Sequence, residues 1–287
     1  MRDMLADADL EPALRDRLAS LRLAVVGHVE WAEFLEVPHL PAPGEITHVT
    51  ERWEAAAGGG AVAAVQLARL AGRATFLTAL GDDALGHRAA DELGRLGVDV
   101  RAAFRSDQPQ RRVIVHLESN GERTITVIGD RMGPRGDDPL GWDDVDFDAV
   151  YFTAGDVGAL HAARRATVLT ATARALATLR EANVQLDALV HSRLDEGERY
   201  EDGDLDPAPR LVVSTERNAG GRWATRDGRG GTYDAIEPPG PVRDTYGCGD
   251  AFAGGLTAGL GAGLDVDATL DLAARCGAWV ASIKGPY

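Results

Sequence analysis

The chain has 287 residues, 45% hydrophobic and 26% charged, with 45 acidic against 30 basic side chains and a net charge of −15. That length suffices for one large α/β domain with a full core, or for two smaller ones. So acidic a chain has no general attraction for nucleic acid or anionic membrane. Its one lysine, Lys284, excludes a GxxxxGK[ST] phosphate loop and a kinase built on a strand lysine.

Residues 1–20 are acidic and lack the apolar run of a secretory leader, so a cytoplasmic location is expected. No run of about 18 apolar residues is free of charge, so no membrane span is expected either. Cys248 and Cys276 have the spacing of neither a zinc site nor a disulfide framework and are expected as free thiols.

In chain order, residues 1–20 read as a short charged helix or a loose arm. Residues 21–27 form a buried strand ending in glycine. The stretch 28–55 alternates irregularly and holds three prolines, which suits short strands and loops standing off a main sheet. A glycine cluster then opens a small-residue helix over 58–72. A strand and turn follow over 74–86, then a helix over 87–98 with Ala90, Leu93, Leu96 and Gly97 on one face. Two β-rich runs within 111–129 flank Ser119-Asn120-Gly121, a hairpin signal. An acidic loop covers 131–148. Beyond it, strand-like runs at 149–155, 166–171, 186–192 and 210–215 alternate with helical 157–165 and 173–183. That alternation predicts a parallel sheet with helices on both faces. Two short strands (221–226, 231–236) and two helices (249–262, 266–282) complete the chain. With no internal repeat or low-complexity linker, a single α/β domain over 1–287 is expected, its early β-rich excursions forming a small separate sheet.

The most informative stretch is DTYGCGDAFAGGL, residues 244–256. Gly247, Cys248 and Gly249 can present consecutive N–H groups as a nest for an anion. The helix that follows adds the positive end of its dipole. Asp250 falls in the first turn of that helix. It either caps the helix, as aspartate does well, or takes a proton from a hydroxyl attacking phosphorus. At a helix start its carboxylate is expected to be stabilised as the anion, with a low pKa.

This segment resembles the D-T-x-G-A-G-D signature of the ribokinase-like (PfkB-type) carbohydrate kinases, with Cys248 for the usual alanine. Other segments resemble the family in the same order. VVGHVEWAEF and then PAPGE look like its opening strand and P-x-P-G-E. AAAGGGAVAAVQLARLAG resembles the Gly-Gly segment that opens its first helix, and TALGDDALG its G-x-D-x-x-G motif. VVSTERNAGG stands where the family has a strand and a nucleotide turn. The matches run from about residue 21 to the last.

The resemblance implies a three-layer α/β/α sandwich with a mostly parallel central sheet and a small β-sheet lid from about 28–55 and 100–130. It implies an ATP-dependent sugar kinase acting on a hydroxyl of a small carbohydrate or sugar-like molecule held between lid and sheet, with ATP along the strand ends near 214–250. Asp250 would be the catalytic base, and the amides of Gly247, Cys248 and Gly249 the anion hole. Thr245 would lie near the phosphates, and Asp244 with the Lys284-Gly285 turn near a loop for a monovalent cation such as K⁺. Mg²⁺ would arrive with ATP and keep most of its waters. The lid edges would suit a homodimer.

The chain also departs from the family pattern. Glu30 and Ala32 stand where the family has an asparagine and an aspartate that hold sugar hydroxyls, and Ala63 where its first helix has an asparagine. Glu30, Gly58, Gly59 and Arg112 are then the candidate substrate contacts. Arginines 111, 112, 123 and 131 would suit an anionic substrate such as a sugar phosphate. The family's N-x-x-E reads SRLD, which makes Ser192 and Asp195 candidates on the nucleotide side, Asp195 for Mg²⁺. Arg217 replaces a common glycine in the nucleotide turn, leaving Thr215, Glu216, Gly220 and Gly221 to shape it. Two rival readings stand beside the sugar kinase. One is a nucleoside kinase of the same fold, with the base stacked on Trp31 or Trp53. The other is a catalytically weak nucleotide-binding regulator, which Ala32, Ala63 and Arg217 motivate.

Overall fold

A computed structural model describes residues 10–118, 123–143 and 146–287. The apolar runs of the sequence become the inner strands of one large sheet. Strands β1 (Leu23–His28) and β8 (Ala149–Phe152) are buried along their whole length, as strands covered on both faces must be. Beside them lie β4 (Ala74–Gly81), β5 (Val98–Arg105), β9 (Val168–Thr172), β10 (Ala188–Ser192) and β11 (Leu211–Thr215). Two short strands, β12 (Gly221–Thr225) and β13 (Gly230–Tyr233), finish one edge. The order is β13-β12-β11-β10-β9-β8-β1-β4-β5, parallel from β11 to β5 and antiparallel at β12 and β13.

Helices cover both faces. On one, α2 (Gly59–Ala71), α6 (Cys248–Gly261) and α7 (Val266–Ala281) share a core with β1 and β4, and α1 (Pro12–Ser20) adds Leu18 to it. On the other, α4 (Val157–Ala163) and α5 (Leu176–Ala182) pack on β8 and β9. Small residues seat α6: a Cβ on Gly255 would lie 2.8 Å from both Ala273 Cα and Cys276 Sγ of α7. This close approach fixes the helix whose first turn carries Asp250. Cys248 and Cys276 are free thiols. Among the described residues no helix is long and apolar enough to cross a membrane.

A second sheet of four strands stands apart, in the order β3 (Glu51–Ala57), β2 (Glu30–Val37), β6 (Arg112–Glu118), β7 (Arg123–Ile128). β2 and β6 are parallel and the outer pairs antiparallel. The expected hairpin strands are present, in a register that sets Leu117 opposite Arg123. Its tip, Ser119-Asn120-Gly121, lies outside the described residues.

Two boundaries differ from expectation. The helix expected at 87–98 is α3 (Ala84–Arg95), shifted because the Asp83 carboxylate accepts from the amides of Leu85 and Gly86, both at 2.9 Å. Residues 100–105, expected in the small sheet, belong to β5 at the edge of the large one. There Val98–Arg105 pairs in parallel with β4.

Candidate active site

The parallel strands end together at His28, Phe152, Thr172, Ser192 and Thr215. In open α/β sheets this edge is where ligands bind. Helices α2 and α6 begin there, and their first turns meet. A Cβ built on Gly59 would lie 2.4 Å from Asp250 Oδ1, so only glycine leaves the carboxylate its place. Gly58 has φ +89° and its N–H donates to Tyr246 Oη at 3.1 Å. Gly247 precedes α6 with φ +80°, a left-handed turn that glycine adopts without strain. The Ala251 amide bonds back to Gly247 O at 2.9 Å. Ahead of it, the N–H groups of Cys248, Gly249 and Asp250 have no acceptor among the described residues, as at any uncapped helix start.

Asp250 does not have the low pKa expected from its place at a helix start. It keeps partial solvent contact, yet burial raises its pKa to about 7, with Glu198 and then Glu30 adding to the rise and Arg174 and Arg123 opposing it. Loss of water around the carboxylate is the largest cause of the rise.

Around Asp250 lies a ring of charge drawn from both sheets. Glu30, at the start of β2, is buried and sits 2.7 Å from Arg111 Nε. The two atoms are close but poorly aligned, so the Arg111 Nε proton makes no hydrogen bond among the described residues. His28 lies 3.8 Å from Glu30, but burial and three nearby arginines hold it well below its usual pKa, so it is neutral. Arg174, after β9, bridges Asp195 at 2.5 Å and Glu198 at 2.7 Å. Glu198 also accepts from the Ser192 amide at 2.9 Å. Arg131 comes within electrostatic reach of Arg111, Glu30, Arg174 and Asp250, and burial lowers its pKa. Among the described residues no carboxylate lies within ion-pairing distance of it.

The other candidate residues are distributed as follows. Arg111, not Arg112, meets Glu30; the nearest carboxylate to Arg112 is Glu33, at 3.9 Å. Neighbouring residues of a strand face opposite ways, so one position decides which arginine joins the cleft. Arg123 at the start of β7 donates to Thr245 Oγ1 at 2.8 Å, tying the small sheet to the glycine segment. Asp244 is buried, its carboxylate accepts from the Tyr246 amide at 2.8 Å, and its Oδ2 has no hydrogen-bond partner among the described residues. Lys284 pairs with Glu51 at 2.5 Å and lies 4.1 Å from the Trp53 ring.

Thr215 ends β11 and Glu216 opens the turn after it. Gly220 is held against β13 and Gly221 against β11, where an added Cβ would stand 2.1 Å from Tyr233 O and from Ser214 O respectively. Their immediate role is to let two strands close. Glu216 lies 3.2 Å from Arg193 and 3.3 Å from Arg222. Trp31 is buried beneath Arg88, and Trp53 stacks on Phe34 at 5.1 Å. Both indoles pack within the small sheet.

Sequence reasoning missed Glu198, Arg174, Tyr246 and His28. Tyr246 lay inside the glycine signature at a variable position. Glu198 stands three residues beyond the acidic position of the expected motif, so spacing selected Asp195 instead.

A three-layer α/β/α domain with a second small sheet, and a glycine–aspartate helix start over its strand ends, has the make-up of a sugar kinase. The family described as pfkB family carbohydrate kinase matches residues 20–200 and 205–287, and the chain belongs to it. The chain is 30% identical over 274 residues to a fructokinase of Salmonella typhimurium, covering 79% of this chain and 86% of that protein. It is 28% identical over 301 residues to an ATP-dependent ribose-1-phosphate kinase of Halopiger xanaduensis, covering 92% and 93%. The ribokinase of Cryptococcus neoformans in complex with ADP shares the fold at TM-score 0.73 and 21% identity, over 93% and 96% of the two chains.

Proposed function

We propose that the chain is an ATP-dependent kinase that phosphorylates a hydroxyl of a small sugar or sugar-like acceptor, with Asp250 as general base. The observation that carries this reading is one helical turn that holds both Asp250 and three amides with no acceptor among the described residues. The acceptor oxygen bonds to the γ-phosphorus while its proton passes to Asp250. The bond from that phosphorus to the β,γ-bridging oxygen breaks, and ADP leaves. The amides around Gly247, Cys248 and Gly249 stabilise the charge on the transferring phosphoryl oxygens. Thr245 lies at the same turn, and Thr215, Glu216, Gly220 and Gly221 stand on the nucleotide side. A pKa near 7 suits a base that must gain and lose a proton at neutral pH.

Among the described residues no three His, Cys, Asp or Glu side chains converge as a metal cage. Asp195 and Glu198, at the ends of the strands, are the carboxylates that would face Mg²⁺ held chiefly by nucleotide and water. Bound with ATP, Mg²⁺ supplies charge neutralisation at the phosphates. The orphaned Asp244 Oδ2 fits a monovalent cation. The small sheet acts as the lid over the acceptor, and its outer strand β7, with Ile125, Val127 and Ile128 exposed, suits pairing with a second copy.

The test is ADP release from ATP and Mg²⁺ across a sugar panel. Turnover that depends on one acceptor and is lost in Asp250→Asn supports the reading. Full activity in that variant would remove Asp250 from the mechanism.

A further inference from the structure

A cavity of about 310 Å³ adjoins the Asp250 cleft, lined in part by Arg105, Arg131, Arg135, Arg174, Thr153 and Asp156. Four guanidinium groups on one small wall are unexpected in a chain of net charge −15. They are not equivalent. Arg105 is held by Asp138 through two 2.6 Å hydrogen bonds. Arg174 shares its charge with Asp195 and Glu198 through Nη2 and Nε, and its Nη1 makes neither contact. Arg131 and Arg135 have no carboxylate within ion-pairing distance among the described residues.

The wall is also one-sided in its charge. Guanidinium groups donate and never accept. The one carboxylate on the wall, Asp156, accepts through Oδ1 from the amides of Gly136 and Ala159 at 2.9 and 2.8 Å. Thr153, only 2% exposed, has a hydroxyl with no hydrogen-bond partner among the described residues. A neutral sugar finds acceptors here in Gln108, the threonine hydroxyls and Asp156 Oδ2, but it adds no counter-charge to four guanidinium groups. A phosphate or carboxylate supplies that charge and accepts from the guanidinium donors. Positions 32 and 63, where sugar-holding side chains were expected to be missing, are buried alanines that carry no polar group into the cleft.

Resting on the kinase reading above, we propose that this cavity is a subsite for an anionic group on the acceptor, so that the substrate is a sugar already bearing a phosphate or a carboxylate. Arg131 is its principal anchor, with Arg174 and Arg135 beside it. Arg131 and Arg174 lie close enough to Asp250 to feel its charge, so an acceptor anchored there lies beside the base.

The test pairs turnover with binding. Acceptors are ribose, a ribose phosphate, fructose, a fructose phosphate and gluconate, with ATP and Mg²⁺. Binding of the same compounds, without nucleotide, is read by calorimetry on wild-type protein and on Arg131→Gln and Arg135→Gln. The expected result is a kcat/KM at least about 100-fold higher for an anionic sugar than for its neutral counterpart, with that ratio falling about tenfold or more in Arg131→Gln through KM. Preference for the phosphates or for gluconate identifies which anion is used. Equal kcat/KM for neutral and anionic sugars, unchanged in both variants, would overturn the subsite and leave the kinase reading standing. Arginine-dependent binding of anionic sugars with no phosphorylation of any acceptor would support the subsite and overturn the kinase reading. Thermal melts verify that both variants fold, as expected for arginines that hold no ion pair.

Discussion

Gly59 and Asp250, on the first turns of two helices, are so close that a Cβ on the first would stand 2.4 Å from a carboxylate oxygen of the second. Alanine is a good helix former, so Gly59→Ala should leave α2 intact while forcing Asp250 from its position. Misplacing a reacting group by about 1 Å can cost about 100-fold in rate. Gly59→Ala is therefore expected to lower kcat by about that factor with nucleotide affinity retained. Steady-state kinetics and nucleotide calorimetry on one preparation check it.

Asp250→Asn should lower kcat by ~10²–10⁴-fold, the usual range for loss of a general base. It should also change stability in a pH-dependent way. The native carboxylate holds its proton up to about pH 7, against an ordinary value of 3.8. The folded state thus binds the proton more tightly than the unfolded one. The stabilisation this brings is full below the unfolded pKa and is lost as pH rises through about 7. Asparagine has no such loss, so the variant's Tm should exceed that of the wild type at pH 8, with a smaller gap at pH 5. Melting curves at the two pH values decide it.

The same pKa sets the activity profile. A base must be unprotonated to act, so kcat/KM should rise with pH through about 7 in the free enzyme. Glu198 is the foremost charged group that raises it, and Glu198 also neutralises Arg174. Glu198→Gln removes a negative charge and frees a positive one, and both changes favour the Asp250 anion. The acidic limb should move to lower pH. An unchanged limb would show that Glu198 does not act on the base.

Tyr246 supplies the partner for the Gly58 amide in a buried setting. Tyr246→Phe keeps the ring against Phe34 but leaves that N–H unsatisfied, a loss of about 1–3 kcal/mol. Denaturant unfolding should show a lowered midpoint with unchanged slope. Because the Gly58–Gly59 turn also seats Asp250, kcat should fall too.

Much of the architecture could be read from periodicity. The alternation of apolar runs and helical segments after residue 149 predicted the parallel sheet, and the glycine signature predicted the helix start with Asp250 in its first turn. Strand β5 was missed because VDVRAAFR carries two arginines and an aspartate, which look out of place in a sheet until its position at an edge is known. Which of Arg111 and Arg112 meets Glu30 could not be read from the chain for a related reason. Side-chain direction along a strand reverses at each residue, and register with β2 is set across the sheet, not along the chain.

The sequence by itself determined the order of the layers, the acidic surface and the anion-ready turn, because each depends on neighbours within one helical turn or one strand. Only the tertiary structure decided the chemistry of that turn. The Gly58–Tyr246 bond spans 188 positions, and Glu198, Glu30 and Arg174 reach Asp250 from three other elements. Desolvation and summed charge depend on that convergence, and no local spacing records it. For this reason the carboxylate expected to be strongly acidic has a pKa near neutrality, beside a wall of arginines.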